Sequence, residues 1–182
     1  MTGDRATRPD GVFAGRHRAL TVGLVLTITL VGFESLAVAT VLPVVEHDLG
    51  GLSLYGWIFS AYLLGSLVGT VIAGREVDHM GPARPFALGC LLFAIGLVGG
   101  GLAPSMLFLV GARVVQGLGA GVIPATAYAT IGRCYPASLQ ARMFAVLSTA
   151  WVVPGLAGPG LAGLVAHAVG WRWVFLGLLP LV

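Results

Sequence analysis

The stretch ALTVGLVLTITLVGFESLAVATVL, residues 19–42, contains a single charged residue, Glu34. A helix that crosses a bilayer needs about 20 mostly apolar residues, so this stretch predicts a transmembrane helix. A charge within the hydrocarbon costs about 2.5–3.5 kcal/mol on insertion scales and usually has a partner. Glu34 is therefore a candidate functional residue, and the rest of the sequence has to supply its partner.

The composition predicts a membrane protein. Hydrophobic residues make up 57% of the 182 residues and charged residues only 9%, against about 25% charged in an average soluble domain. The arginines are scattered at segment boundaries and form no basic stripe, so we expect no nucleic-acid partner. Cys90 and Cys134 have no ligand-like spacing to each other or to histidine. We therefore expect neither a disulfide framework nor a metal site. We also expect no cofactor.

Four further apolar runs predict transmembrane helices at 53–73, 85–103, 105–131 and 143–166. A sixth run begins near Trp173 and reaches the last residue after about half a span. The predicted fold is thus an all-α polytopic bundle, incomplete in its sixth helix, over residues 19–182, with a basic N-terminal tail over residues 1–18. The connections are short, which favours antiparallel neighbours in one bundle.

The arginines predict the orientation of the bundle, because cytoplasmic loops carry an excess of basic residues. Most of them fall on the side that holds the N-terminus, so we expect a plasma-membrane protein with a cytoplasmic N-terminus. A cleaved signal peptide ending at Ala37-Val38-Ala39 is an alternative, but the apolar run is long, contains Glu34 and precedes further spans. The arginines on the predicted cytoplasmic side are Arg5, Arg8, Arg16, Arg18, Arg75, Arg84, Arg133 and Arg142.

Arg113 is the candidate partner of Glu34, because it is the other full charge within a predicted span. Each lies about 12 Å from the outer end of its predicted span at 1.5 Å per residue, so the two can meet if helices 1 and 4 are neighbours. Two interpretations remain open: the pair only holds the bundle together, or Glu34 gains and loses a proton while Arg113 tunes it. Loss of water favours a protonated carboxyl group and a nearby guanidinium favours the ionised one, so alternating water access can shift the balance.

Three short stretches form recognisable signatures: GREVDHMGPAR at 74–84, RVVQGLGAG at 113–121 and PGLAGPGLAG at 154–163. Together they resemble the signatures of the major facilitator superfamily, and the likeness extends over nearly the whole chain after the tail. YGWIFSAYLLGSLVG at 55–69 and GWRWVFLGLLP at 170–180 are similar to its fourteen-helix drug:proton antiporter branch. The matching positions are Gly74, Asp78 and Gly81; Arg113, Gln116 and Gly117; and Gly155, Gly158, Pro159 and Gly163.

The resemblance implies the N-terminal half of a major facilitator fold, with the substrate cavity between this half and a missing C-terminal half. It implies proton-coupled efflux of small drug-like molecules by alternating access, and no enzymatic activity. We expect Gln116, Trp57 and Tyr62 to line the substrate path, although an aromatic belt at the membrane surface also accounts for Trp57. A metabolite or sugar uniporter or symporter, and a fragment that does not transport, remain as alternatives.

The loop signature implies a conformational latch. Gly74 and Gly81 are expected to bracket a tight cytoplasmic turn, in which Asp78 accepts hydrogen bonds from helix amides or pairs with an arginine. His79 replaces the usual basic residue of this signature, while Arg84 retains one. An ordinary solvated loop acid is the alternative for Asp78.

In helix 5, Pro154 and Pro159 remove two backbone donors, and the surrounding glycines permit kinking and close contact. Small residues also recur in many membrane bundles simply for packing.

Overall fold

A computed structural model describes residues 12–13 and 17–182, and over these residues the regular structure is helical. Among the described residues, five segments are long and apolar enough to cross a membrane, which confirms the predicted number of complete spans. Arg5, Arg8 and Arg16, with most of the predicted tail, lie outside the described residues. The α-helices are α1 (His17–Leu49), α2 (Tyr55–Met80), α3 (Ala83–Gly101), α4 (Met106–Cys134), α5 (Ala137–Thr149), α6 (Val152–Val169) and α7 (Arg172–Leu176), with 3-10 turns at Leu52–Leu54 and Leu179–Leu181.

Several helices are longer than the apolar runs that predicted them. Helix α1 continues past residue 42 through Pro43 to Leu49. It stops where Gly50 and Gly51 adopt φ values of +66° and +80°, a left-handed conformation that favours glycine. Hydropathy marks the part of a helix that lies in hydrocarbon, whereas the backbone hydrogen bonds continue through polar residues.

The turn after α2 corrects one prediction. Gly74 lies inside α2, which continues to Met80, so Gly74 and Gly81 do not bracket a tight turn. Gly81 alone ends the helix: its φ is +75° and its N–H donates to the carbonyl of Val77 at 3.0 Å. The residues between the two glycines are mostly polar but compatible with a helix, so the backbone hydrogen bonds continue through them.

Helix α4 is the centre of the bundle and packs extensively against α2 and α3. On its α2 side, a Cβ at Gly117 would overlap the carbonyl oxygen of Tyr62, and one at Gly121 would overlap that of Ser66. Gly65 and Gly69 of α2 are in equally close contact with the α4 backbone. The small-residue face predicted for helix 4 therefore brings two helix backbones together, as in other membrane bundles.

Helix 5 is divided, whereas the sequence predicted one helix over 143–166. Helix α5 ends at Thr149, Ala150 and Trp151 form a turn, and α6 begins at Val152. Pro154 follows in the first turn of α6, where its missing N–H leaves the carbonyl of Ala150 without the usual helical donor. The expected kink is thus a break just before Pro154.

The two ends of the bundle are each held by polar contacts between segments that are distant in sequence. At one end, Nη2 of Arg133 lies 3.1 Å from Oδ1 of Asp78. At the other end, Nε1 of Trp171 donates to Oδ2 of Asp48 at 2.9 Å. These contacts join the C-terminal end of α2 to that of α4, and the link after α6 to the C-terminal end of α1, so each of these helix pairs runs in the same direction.

Candidate functional site

Glu34 and Arg113 form a buried ion pair between α1 and α4. Nη1 of Arg113 lies 2.5 Å from Oε1 of Glu34, and the two residues are 1% and 0% exposed, respectively. The prediction that these charges meet is confirmed. Breaking such a pair is strongly unfavourable, because it leaves one charge buried without compensation.

Further polar groups hold the guanidinium of Arg113. Its Nη1 also donates to Oε1 of Gln116 at 2.7 Å, and its Nε donates to the carbonyl of Ile58 at 3.5 Å. The guanidinium carbon lies 4.0 Å from the centre of the Tyr62 ring, a cation–π arrangement. The cluster therefore joins α1, α2 and α4.

Two buried atoms in this cluster make no hydrogen bond with the described residues: Oε2 of Glu34 and Nε2 of Gln116. A buried polar group without a partner costs about 1–3 kcal/mol, so most such groups in proteins are paired. Oε1 of Glu34 is occupied by Arg113, whereas Oε2 is an acceptor that none of the described residues uses. Burial, charge and an unused acceptor thus coincide on one carboxylate.

Arg113 also borders a cavity of about 390 Å³, within the usual range for small-molecule sites. Its wall combines aromatic residues, two serines and Arg113. The hydroxyl groups of Ser35 and Tyr62 lie 3.0 Å apart and share a hydrogen bond. Residues that line the cavity include Ser35, Phe59, Tyr62, Ser66, Arg113 and Trp151.

The three residues predicted for the substrate path occupy different places. Tyr62 lines the cavity. Gln116 is fully buried behind it, where it accepts from Arg113. Trp57 is 54% exposed and lies in a separate apolar groove of about 520 Å³ with residues such as Val110. The structure therefore brings Tyr62 and Gln116 to the ion pair but not Trp57.

Four residues that line the cavity were not predicted from the sequence: Trp151, Ser35, Phe59 and Ser66. A signal for Trp151 was present, because it lies near the middle of the fifth predicted span. Tryptophan is enriched at membrane surfaces, so a tryptophan well inside a predicted span indicates a different role. The serines carried no comparable signal, since serine is common at helix contacts in membranes.

In the loop signature, Asp78 pairs with Arg133 of α4 rather than with helix amides. Both side chains are exposed, so the pair is expected to contribute at most about 1 kcal/mol to stability. His79 and Arg84 are also exposed. The predicted latch role of this loop stays a prediction.

The helix 5 signature presents two different faces. Pro154 and Gly158 are buried, and a Cβ on Gly158 would lie 3.6 Å from Cβ of Leu36 on α1. Pro159 is exposed on α6, and a Cβ on Gly155 or Gly163 would meet no atom within 4 Å. Within the signature, Gly158 therefore packs on α1, whereas Gly155, Pro159 and Gly163 do not contact another of the described helices closely.

The sequence model of the Major Facilitator Superfamily matches residues 22–182. The chain belongs to this superfamily. A probable multidrug-efflux transporter of Mycobacterium tuberculosis is 31% identical over 160 residues, covering 88% of this chain and 34% of the relative. The multidrug transporter protein MdtP of Bacillus subtilis is 30% identical over 165 residues, covering 91% of this chain and 30% of the relative.

Solved structures of the superfamily agree with the fold. A D-xylose-proton symporter superimposes with a TM-score of 0.79 at 18% identity, over 90% of this chain and 45% of the symporter. An inward-open structure of the xylose transporter XylE from E. coli gives a TM-score of 0.76. At this identity the likeness concerns the fold alone. The chain spans about a third of the length of the curated relatives named above, and it contains one bundle of a major facilitator transporter.

Proposed function

We propose that this chain is the N-terminal part of a proton-driven exporter of small, drug-like molecules that works by alternating access. The observation that carries the proposal is the buried ion pair between Glu34 and Arg113, of which Arg113 borders a cavity of about 390 Å³. The similarity to multidrug transporters supports the substrate class. A second half would supply the opposite wall of the cavity.

The charges of the pair suggest how a proton and a substrate compete. With Glu34 ionised, the pair is neutral and its two charges are satisfied. A proton on the unused Oε2 would leave Arg113 with an uncompensated positive charge beside the cavity. A cationic substrate would then bind less well, and the state that hydrates the guanidinium would be favoured. Each ligand shifts the equilibrium by its difference in affinity for the two states.

The exporter is proposed to lie in the plasma membrane, with its lipid-facing helices in contact with the bilayer. Arg18, Arg75, Arg84, Arg133 and Arg142 belong to the ends that we assign to the cytoplasm. Because the export is proposed to be driven by protons, the protons would enter from the outside and leave towards the cytoplasm, while the substrate moves outwards.

The test is transport by the complete carrier reconstituted in liposomes. Efflux of a fluorescent cation such as ethidium is measured with an imposed pH gradient and without one, for wild type and for Glu34→Gln. We expect the gradient to accelerate efflux by wild type, and Glu34→Gln to remove at least about nine tenths of that acceleration. Glu46→Gln is the matched control, because it makes the same change on α1 but Glu46 lies outside the ion pair.

Each alternative predicts a different result. Gradient-driven export by Glu34→Gln at the wild-type rate would contradict the role of Glu34. Uptake of a sugar in the same direction as the proton would favour a symporter, and sugar transport independent of the gradient would favour a uniporter. An absence of transport by wild type would favour a structural role for the pair.

A further inference from the structure

Trp151 occupies an unusual place in the bundle, at the turn between α5 and α6. It lies roughly 21 Å from Ala137 and roughly 27 Å from Val169 along this span, at 1.5 Å per residue. The backbone N–H of Trp151 donates to the carbonyl of Ser148 at 3.3 Å, and the carbonyl of Trp151 accepts from the N–H of Gly155 at 3.1 Å. The backbone of Trp151 is thus held on both sides while its side chain projects from the turn.

The indole ring is placed by Gly32 of α1. A Cβ on Gly32 would lie 3.0 Å from Cε3 and 3.2 Å from Cζ3 of Trp151, closer than a methyl group and a ring carbon normally approach. The six-membered part of the indole therefore rests against the α1 backbone, and this position depends on the missing side chain. Trp151 nevertheless remains 43% exposed and lines the cavity that Arg113 borders.

Two further aromatic side chains line the cavity. Phe59 and Tyr62 of α2 line the same cavity. The Tyr62 ring already contacts the guanidinium of Arg113 at 4.0 Å, so this ring is in part occupied. Trp151 has no cation over it among the described residues, and its ring has the strongest quadrupole of the three aromatic side chains.

We propose that Trp151 is a specificity-determining residue that stacks on planar aromatic substrates, and that Gly32 sets the position of its ring. The inference rests on the proposed transport function, because it concerns the same cavity. Aromatic pairs prefer offset stacking with ring centres about 4.5–7 Å apart, which a flat molecule achieves and a propeller-shaped one does not. The cavity would then select substrates by their shape as well as by their charge.

The test compares two lipophilic monocations, flat ethidium and propeller-shaped tetraphenylphosphonium. Their binding to the complete carrier is measured by equilibrium dialysis without a proton gradient. We expect Trp151→Ala to weaken ethidium binding about tenfold, while Trp151→Tyr, which keeps a ring, stays within about threefold of wild type. Tetraphenylphosphonium binding is expected to change less than about twofold. Trp173→Ala is the matched control, since Trp173 is 54% exposed and does not line this cavity.

Gly32→Ala provides an independent variant. The added methyl group is expected to displace the indole and to weaken ethidium binding when Trp151 is present, but to have no effect when residue 151 is alanine. Unchanged ethidium binding by Trp151→Ala, or an equal loss for both cations, would overturn the proposal. Because binding is measured at equilibrium, this outcome is distinct from the gradient test of Glu34: either can fail while the other holds.

Discussion

Glu34 and Arg113 are 79 positions apart in the sequence, yet Nη1 of Arg113 lies 2.5 Å from a carboxylate oxygen of Glu34. The contact joins α1 to α4, which otherwise meet over a much smaller area than α4 shares with α2 or α3. An ion pair thus connects the helix pair α1–α6 to the group formed by α2, α3 and α4.

The first prediction concerns the stability of this pair. Arg113→Gln is expected to lower the free energy of unfolding by about 3–5 kcal/mol, because Glu34 would remain buried without its partner. The double variant Glu34→Gln/Arg113→Gln is expected to be less destabilised than Arg113→Gln alone. Denaturant unfolding in detergent, followed by circular dichroism, measures both. Additive losses would show that the two side chains are not energetically coupled.

A second prediction concerns the contact between α2 and α4. Gly121→Ala places a Cβ against the carbonyl oxygen of Ser66, so we expect overpacking to lower the free energy of unfolding by about 1–3 kcal/mol. Gly111→Ala is the matched control on the same helix, because a Cβ there meets no atom within 4 Å. The control is expected to unfold at the wild-type temperature or slightly above it. Equal melting temperatures for the two variants would argue against the close approach of α2 and α4.

The third prediction separates stability from transport in the loop signature. Asp78→Asn removes an exposed ion pair with Arg133 and is expected to change the unfolding free energy by less than about 1 kcal/mol. If the loop is a latch, the same change slows transport, and the charge exchange Asp78→Arg/Arg133→Asp restores part of it. Transport by Asp78→Asn at the wild-type rate would leave Asp78 as an ordinary solvated acid near the end of α2. Glu76→Gln, on the same segment, controls for a general change of charge.

The fourth prediction concerns the opposite end of the bundle. Trp171 is 2% exposed and donates to Asp48, while the guanidinium of Arg172 lies 4.4 Å from its ring centre. Trp171→Phe keeps a buried ring but loses the N–H, so we expect a loss of about 1 kcal/mol in unfolding free energy. Trp173→Phe, at an exposed position, is expected to have no measurable effect. An equal effect of both would contradict the importance of the hydrogen bond.

Much of the architecture was predictable because hydropathy acts locally. A continuous run of about 20 apolar residues is expected to form a helix in lipid, since a helix satisfies all backbone hydrogen bonds within one segment. The number of complete spans followed from this rule. Helix ends followed less well: α1 continues to Leu49, and Gly74 lies within α2, because helical hydrogen bonding does not stop where the hydrocarbon stops.

The site was predictable only in part. Glu34 and Arg113 could be paired from the sequence because charges are so costly in lipid that each one demands a partner. The break before Pro154 was foreseen only as a kink. Trp151, Ser35 and Phe59 were not foreseen, because apolar and weakly polar residues carry no such penalty and can face lipid, another helix or a cavity.

The sequence by itself therefore determined the membrane class, the superfamily signatures and which two charged residues form a pair. The reason is that the energy of burying a charged or apolar group depends on the residue type and on the length of the apolar run. Only the tertiary structure decided which side chains surround the cavity and that Trp151 rests on Gly32. Those relationships depend on how helices rotate and pack against one another, and this is set by contacts between residues far apart in the chain.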